Sequence, residues 1–313
     1  MPSSQVLARE TCLLYFDDEQ AAAQRLAAAT GLPAQPVARH RFPDGELKLT
    51  LPVDGSGSLP ANAVLLRSLH QPNEKLVELL LAAEAARGLG VRHLTLVAPY
   101  LAYMRQDIAF QPGEAVSQRI VGRFLAGLFD RLITVDPHLH RVPGLQDAVP
   151  AARADVVSAA PLLADWIARQ RPGAMLVGPD GESAQWVAQA AARHGFDHAV
   201  CTKLRHGDRS VSIALPPVSV QGRCVVLLDD MASTGHTLAQ AAHLLMAAGA
   251  ASVDVAVTHA LIDDASLHAL HQAGVGQFWS TDCVDHPSNV VSMAPVLAQA
   301  LGCAAQMQVC QQG

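Results

Sequence analysis

The stretch CVVLLDDMASTGHTL, residues 224–238, changes character twice. Its opening, Cys224 to Leu228, is an unbroken aliphatic run of the kind that forms a strand buried on both faces. Asp229 and Asp230 follow at the carboxyl end of that strand, the edge at which open α/β sheets bind their ligands. From His236 the sequence HTLAQAAHLLMAAGA predicts a helix that stops near Gly249. Met231, Ala232, Ser233, Thr234 and Gly235 are then a short loop whose amides face whatever lies above the helix start. Free N–H groups and the positive end of the helix dipole suit a phosphate dianion there. Ser233, Thr234 and Thr237 add hydroxyl donors, and the two aspartates can accept hydrogen bonds from vicinal sugar hydroxyls. Phosphate plus diol describes a ribose phosphate. A turn and a helix cap are the plain alternative for Ser-Thr-Gly alone; the whole succession of strand, acidic pair, gap, Gly, Thr and helix asks for more.

Outward from this segment, short aliphatic strands alternate with amphipathic helices, which predicts an α/β fold built from βαβ units. In the first half, strands are expected at Ala63–Ser68, His93–Tyr100 and the RLITV run, with helices at Asn73–Arg87 and Ser117–Leu128. The second half repeats the pattern with AMLVG (174–178), a helix near Glu182–His194, HAVC (198–201), RCVVLL (223–228) and VDVAV (253–257). Turn formers in RVPGLQDAVP, residues 141–150, interrupt the alternation before a helix around Ala159–Gln170. That places a seam between domains 1–148 and 149–313, two variants of one design. The tail after Gly302 reads as a last strand or a frayed end, with its last residues packing back on the first domain.

Bulk properties narrow the function classes. The chain has 313 residues, enough for two ordinary cores, and only 16% are charged and 4% aromatic. With a formal charge of −6 and no Lys/Arg block, the field that gathers a nucleic-acid backbone or an anionic membrane is missing. The six cysteines (Cys12, Cys201, Cys224, Cys283, Cys303, Cys310) lack metal-site spacing and read as reduced thiols of a cytoplasmic protein. No signal sequence or membrane span is expected.

Further segments occur in order: FPDGE (42–46), PYLAYMRQD (99–107), TVDPH (134–138), GPD (178–180) and KLR (203–205). Together with the 224–238 loop they resemble the ribose-phosphate pyrophosphokinases over roughly Val37 to Leu301; the loop alone is shared with type I phosphoribosyltransferases. The resemblance implies two homologous phosphoribosyltransferase-type domains, each a mainly parallel sheet flanked by helices. It also implies transfer of the diphosphoryl group of ATP to the C1 hydroxyl of ribose 5-phosphate, with Mg2+. A phosphoribosyltransferase acting on a nucleobase and a catalytically silent nucleotide-binding homologue are the alternatives.

Roles carry over position by position. By resemblance Arg105 and Gln106 contact ATP, and Asp44, Gly45 and Glu46 reach the adenine side from a neighbouring subunit, so a homo-oligomer, at least a dimer, is implied. His138 and Asp180 match magnesium-linked positions, and Lys203 and Arg205 match transition-state stabilisers on a polar segment that suits a flap. Asp229, Asp230, Ser233, Thr234, Gly235, His236 and Thr237 match the ribose 5-phosphate loop. Taken singly, each has a plainer use: Arg105 as a solvated surface charge, Asp44-Gly45 as a hairpin turn, Lys203 and Arg205 as an exposed basic hairpin. Asp136-Pro137-His138-Leu139-His140 also has the look of a transition-metal cluster. Ser233 stands where many family members have a third aspartate, and His236 where glycine is usual. The segment Ile108–Glu114 lacks the basic residues of the regulated hexameric enzymes and resembles the archaeal-type branch, which implies weak or absent regulation by ADP and phosphate.

Overall fold

The structure, a computed structural model, describes residues 11–139, 141–206 and 210–303. The chain divides into two compact units, one running to Val157 and including the segment from Met293 on, the other Ser158–Ser292.

The first unit contains β1 (Thr11–Tyr15), β2 (Ala34–Pro36), β3 (Ala38–Arg41), β4 (Leu47–Thr50), β5 (Asn62–Leu66), β6 (His93–Ala98), β7 (Arg131–Val135) and β8 (Arg153–Val157). Six of these form one sheet of order β2-β1-β5-β6-β7-β8, every pair parallel, while β3 and β4 form a separate antiparallel hairpin. The helices are Gln20–Thr30, Pro72–Gly88, Ser117–Leu128, the single turn Leu145–Ala148, and Ala294–Leu301. This last helix packs on helix Gln20–Thr30 and on β8, and Arg131 Nη2 donates to its Ala300 carbonyl at 2.5 Å.

The second unit contains β9 (Met175–Gly178), β10 (His198–Val200), β11 (Thr202–His206), β12 (Ser210–Ala214), β13 (Cys224–Ala232), β14 (Ser252–Ala260), β15 (Val275–Thr281) and β16 (Asn289–Val291). Its parallel sheet has the order β10-β9-β13-β14-β15-β16, and β11 pairs with β12 as an antiparallel hairpin. The plan of the first unit is thus repeated, hairpin included. The match extends to single bonds: Val37 N–H donates to Tyr15 O at 2.8 Å in the first unit, and Cys201 N–H donates to Gly178 O at 2.8 Å in the second.

Two boundaries differ from the sequence expectation. Arg153–Val157 pairs in parallel with β7, so the first unit runs on past residue 148 to Val157. Five residues rich in β-branched and charged types gave too weak an alternation to be seen as an edge strand. Likewise β13 does not stop at Leu228: Met231 and Ala232 pair with His259 and Ala260 of an equally long β14, so the open loop shrinks to Ser233–Gly235. Val225 to Leu228 are fully buried, as the unbroken aliphatic run requires. Of the tail, residues 304–313 lie outside the described residues, as does Cys310.

Candidate active site

The carboxyl end of the second sheet collects carboxylates. Asp180 follows β9 and is buried; it accepts from Glu182 N–H at 3.0 Å, which opens the turn into helix Ala184–His194. Asp230 is buried at 3% exposure beside half-buried Asp229, whose Oδ1 accepts from Asp230 N–H at 3.0 Å. Burial, and then the negative charges of Asp230 and Asp180, push the Asp229 carboxyl well above its ordinary range. Lys203 Nζ, 38% exposed on β11, forms an ion pair with Asp180 Oδ2. Three carboxyl groups thus crowd this edge, and Asp180 is the one that pairs with the Lys203 ammonium.

Beyond them, Gly235 sits at φ 69° and starts helix His236–Ala247, and no side chain caps that start. A left-handed residue is required for the chain to turn from strand into helix within three residues, and glycine supplies it at least cost. A Cβ there would also come within 3.2 Å of Ile262 Cδ1. Thr234 and His236 are exposed, Ser233 and Thr237 half-buried. The helix amides are thus presented, uncapped, beside Asp229 and Asp230, the geometry a phosphate ester with a nearby diol needs. His236 lies on ordinary helical backbone, so the side chain that replaces the usual glycine imposes no strain.

In the first unit, the loops after β5, β6 and β7 each hold a non-glycine residue in left-handed backbone: Gln71 (φ 52°), Tyr103 (φ 63°) and Asp136 (φ 35°). Such strain persists where surroundings enforce it and clusters at functional edges. Tyr103 leads into exposed Arg105 and half-buried Gln106, and Asp136 leads into half-buried His138. The Arg105-Gln106 loop is bolted to the start of helix Ser117–Leu128: Gln118 N–H donates to Gln106 O (3.2 Å), Gln118 Nε2 to Met104 O (3.1 Å), and Ser117 Oγ to Gln106 Oε1 (3.0 Å). Buried Asp107 accepts from Arg141 Nη1 at 2.8 Å, tying this loop to the segment that follows His138. Sequence reading missed Ser117, Gln118 and Arg141, because their contacts join residues distant along the chain. His140, on which the transition-metal reading depends, lies outside the described residues.

Asp44, Gly45 and Glu46 cap the β3–β4 hairpin and are exposed. Phe42 N–H donates to Glu46 O (2.8 Å), Gly45 N–H to Phe42 O (2.9 Å) and Glu46 N–H to Asp44 Oδ1 (3.2 Å), with Gly45 at φ 96° as the turn demands. Of the polar segment expected as a flap, β11 and β12 form a hairpin; residues 207–209, Arg209 among them, lie outside the described residues, and Arg205 is placed by its backbone, opposite Val211.

A family model for the N-terminal domain of ribose phosphate pyrophosphokinase matches residues 11–128, and a phosphoribosyl transferase domain model matches 159–296. The ribose-phosphate pyrophosphokinase of Methanopyrus kandleri is 36% identical over 281 residues, 89% of this chain and 94% of that protein. The chain belongs to the ribose-phosphate pyrophosphokinase family. The enzyme of that name from Halobacterium salinarum is 35% identical over 92% of this chain and 100% of its own length. A crystal structure of phosphoribosylpyrophosphate synthetase from Mycobacterium smegmatis superposes with a TM-score of 0.80 at 25% identity, covering 94% of this chain and 98% of that one. The similarity of this pyrophosphokinase to archaeal enzymes agrees with the expected archaeal-type branch.

Ribose-phosphate pyrophosphokinases transfer a diphosphate, and a divalent cation suits such chemistry. The donor set is of the right kind: Asp180, Asp229 and Asp230 offer hard oxygens, and a cation would relieve the crowding that pushes the Asp229 carboxyl up. Among the described residues no group of three or more His, Cys, Asp or Glu side chains is arranged to hold a metal ion by itself. Mg2+ commonly takes one or two carboxylates and fills its octahedron with water and substrate phosphate oxygens, so an open acidic edge is enough. Among the described residues, no helix is long and apolar enough to cross a membrane.

Proposed function

We infer that this chain transfers the diphosphoryl group of ATP to the C1 hydroxyl of ribose 5-phosphate, giving phosphoribosyl diphosphate and AMP. The observation that carries the reading is the edge of the second sheet, where an uncapped helix start, the Asp229-Asp230 pair, Asp180 and the Lys203 ammonium lie together. The amides of Thr234 to Thr237 hold the 5-phosphate, and Asp229 and Asp230 accept from the 2- and 3-hydroxyls, which fixes the C1 hydroxyl in space. That oxygen then bonds to the β-phosphorus and gives up its proton, while the bond from that phosphorus to the oxygen bridging the α-phosphorus breaks and AMP departs. Asp180, with His138 as a further linked position, would hold Mg2+, which would supply charge neutralisation on the polyphosphate. Arg105 and Gln106 orient the nucleotide, and the Asp44–Glu46 turn meets the adenine of a neighbouring subunit's ATP in a homo-oligomer, at least a dimer. Lys203, released from Asp180, and Arg205 face the charge that develops on the transferred group. The site acts on small metabolites in the cytoplasm, without nucleic acid or membrane.

The test is to incubate the protein with ATP, Mg2+ and ribose 5-phosphate and to measure AMP. AMP with phosphoribosyl diphosphate supports the reading. Pyrophosphate release only when a nucleobase is added indicates a phosphoribosyltransferase, and nucleotide binding without turnover a silent homologue.

A further inference from the structure

The β3–β4 hairpin that bears the Asp44–Glu46 turn belongs to neither six-stranded sheet. Its side chains are mostly exposed, only Val37 and Leu51 at its base being buried, and a lone two-stranded hairpin is marginal in water. Something else must set its direction. Arg39 and Arg41 are two residues apart on β3, so they share one face about 7 Å apart. Glu74 and Glu78 are four apart on helix Pro72–Gly88, so they share one face about 6 Å apart. The spacings match, and the structure makes both rungs: Arg39 pairs with Glu78, and Arg41 with Glu74.

The inner rung is anchored in the protein. Glu78 is fully buried and also pairs with Arg67, which is 1% exposed. Arg67 is held in turn by Asp18 at 2.8 Å and Glu19 at 3.3 Å, and Arg39 Nη2 reaches Asp17 at 2.7 Å. The outer rung is solvent-accessible and lies next to Phe42, where the turn begins. A second observation comes from the repeated plan. Arg39 is the second residue of β3 and meets an acid two residues beyond β1; Lys203 is the second residue of β11 and meets Asp180, two residues beyond β9. The same topological position thus carries, among the described residues, the Lys203–Asp180 pair in the second unit and a braced network in the first.

We propose that Arg39 and Arg41, paired with Glu78 and Glu74, are positioning residues that aim the Asp44–Glu46 turn and thereby set affinity for ATP without touching it. This rests on the reading of that turn as an adenine contact. Displacement of a binding group by about 1 Å can cost on the order of a hundredfold, so loss of one rung is expected to raise KM for ATP roughly tenfold. Turnover number and KM for ribose 5-phosphate should stay within about twofold, since the second unit is untouched.

Steady-state kinetics of Arg39→Ala, Arg41→Ala, Arg39→Lys and Asp44→Ala test this, with melting temperature measured on each. The expected result is a raised KM for ATP in all but Arg39→Lys, which recovers part of it. Should Arg39→Ala fail to fold, the accessible outer rung decides: the exchanged pair Arg41→Glu with Glu74→Arg should restore the KM that Arg41→Glu alone raises. Asp44→Ala with unchanged KM for ATP retires the turn as an adenine contact. If Asp44→Ala raises that KM while the arginine variants lower only melting temperature or active fraction, the turn survives and the positioning role is overturned.

Discussion

Lys203 and Asp180 hold each other in this structure, yet their proposed roles pull them apart: the ammonium toward the transferred phosphoryl group, the carboxylate toward a cation. The lysine end of the pair is open to solvent, while Asp180 is buried. Lys203→Ala should leave KM for ATP within about twofold, while turnover falls roughly a hundred- to thousandfold; rapid-quench and steady-state assays measure both. Unchanged turnover would remove Lys203 from catalysis. Asp230→Asn behaves differently, because it removes one charge from a buried pair whose neighbour already resists ionisation. It should weaken ribose 5-phosphate more than ATP, as read by isothermal calorimetry; an effect confined to ATP would mean that the loop has been misassigned. Both residues were legible in the sequence as members of short motifs. The pairing of Lys203 with Asp180 was not, since Asp180 follows β9 and Lys203 lies on β11, and only the fold brings them together.

Between strand and helix, left-handed Gly235 sets where the amides proposed to hold the phosphate point. Gly235→Ala combines a left-handed backbone, costing about 1–2 kcal/mol for an L-residue, with a Cβ pressed on Ile262 and Leu270. The expected outcome is a lower melting temperature together with a higher KM for ribose 5-phosphate, and normal phosphate affinity in a well-folded variant would contradict it. Periodicity and aliphatic runs located most helices and central strands: Ser117–Leu128 forms where its apolar spacing places it, and His236–Ala247 between Gly235 and Gly249. The edge strands β8 and β16 escaped, because short, half-exposed segments carry mixed polarity and owe their conformation to pairing partners; of the β3–β4 hairpin only the Asp44-Gly45 turn was legible. The left-handed residues Gln71, Tyr103 and Asp136 could not be read at all, since side chains of these types give no sign of the backbone they are forced into.

Two units with one strand order give a chain of this size two carboxyl edges at which ligands can sit: each parallel sheet has one, and repeating the unit supplies a second. Regulation would need further cationic sites. In the loop after Asp107 the only charge in Ile108–Glu114 is Glu114, which accepts from Phe110 N–H at 2.7 Å. Activity titrated with inorganic phosphate should accordingly rise shallowly or not at all, and a steep activation curve would contradict this.

Stability should depend on pH through the network beneath the β3–β4 hairpin. Burial pushes Glu19 up from 4.5 to about 7 and, with the charge of Arg67, pushes Lys75 down from 10.5 to about 8. A carboxyl raised in the folded state binds more protons there than in the unfolded chain, so its contribution falls as pH rises from 4.5 to about 7. A lysine lowered in the folded state binds fewer, so its contribution grows from about pH 8 to 10.5. The two together leave the network weakest between about pH 7 and 8. Glu19→Gln, a neutral side chain of similar shape that still accepts from Ser68 N–H, removes the first dependence. The melting temperature of wild type minus that of Glu19→Gln should then drop by a few degrees between pH 5 and 7.5; a difference that stays constant or rises would show that Arg67 holds Glu19 ionised throughout.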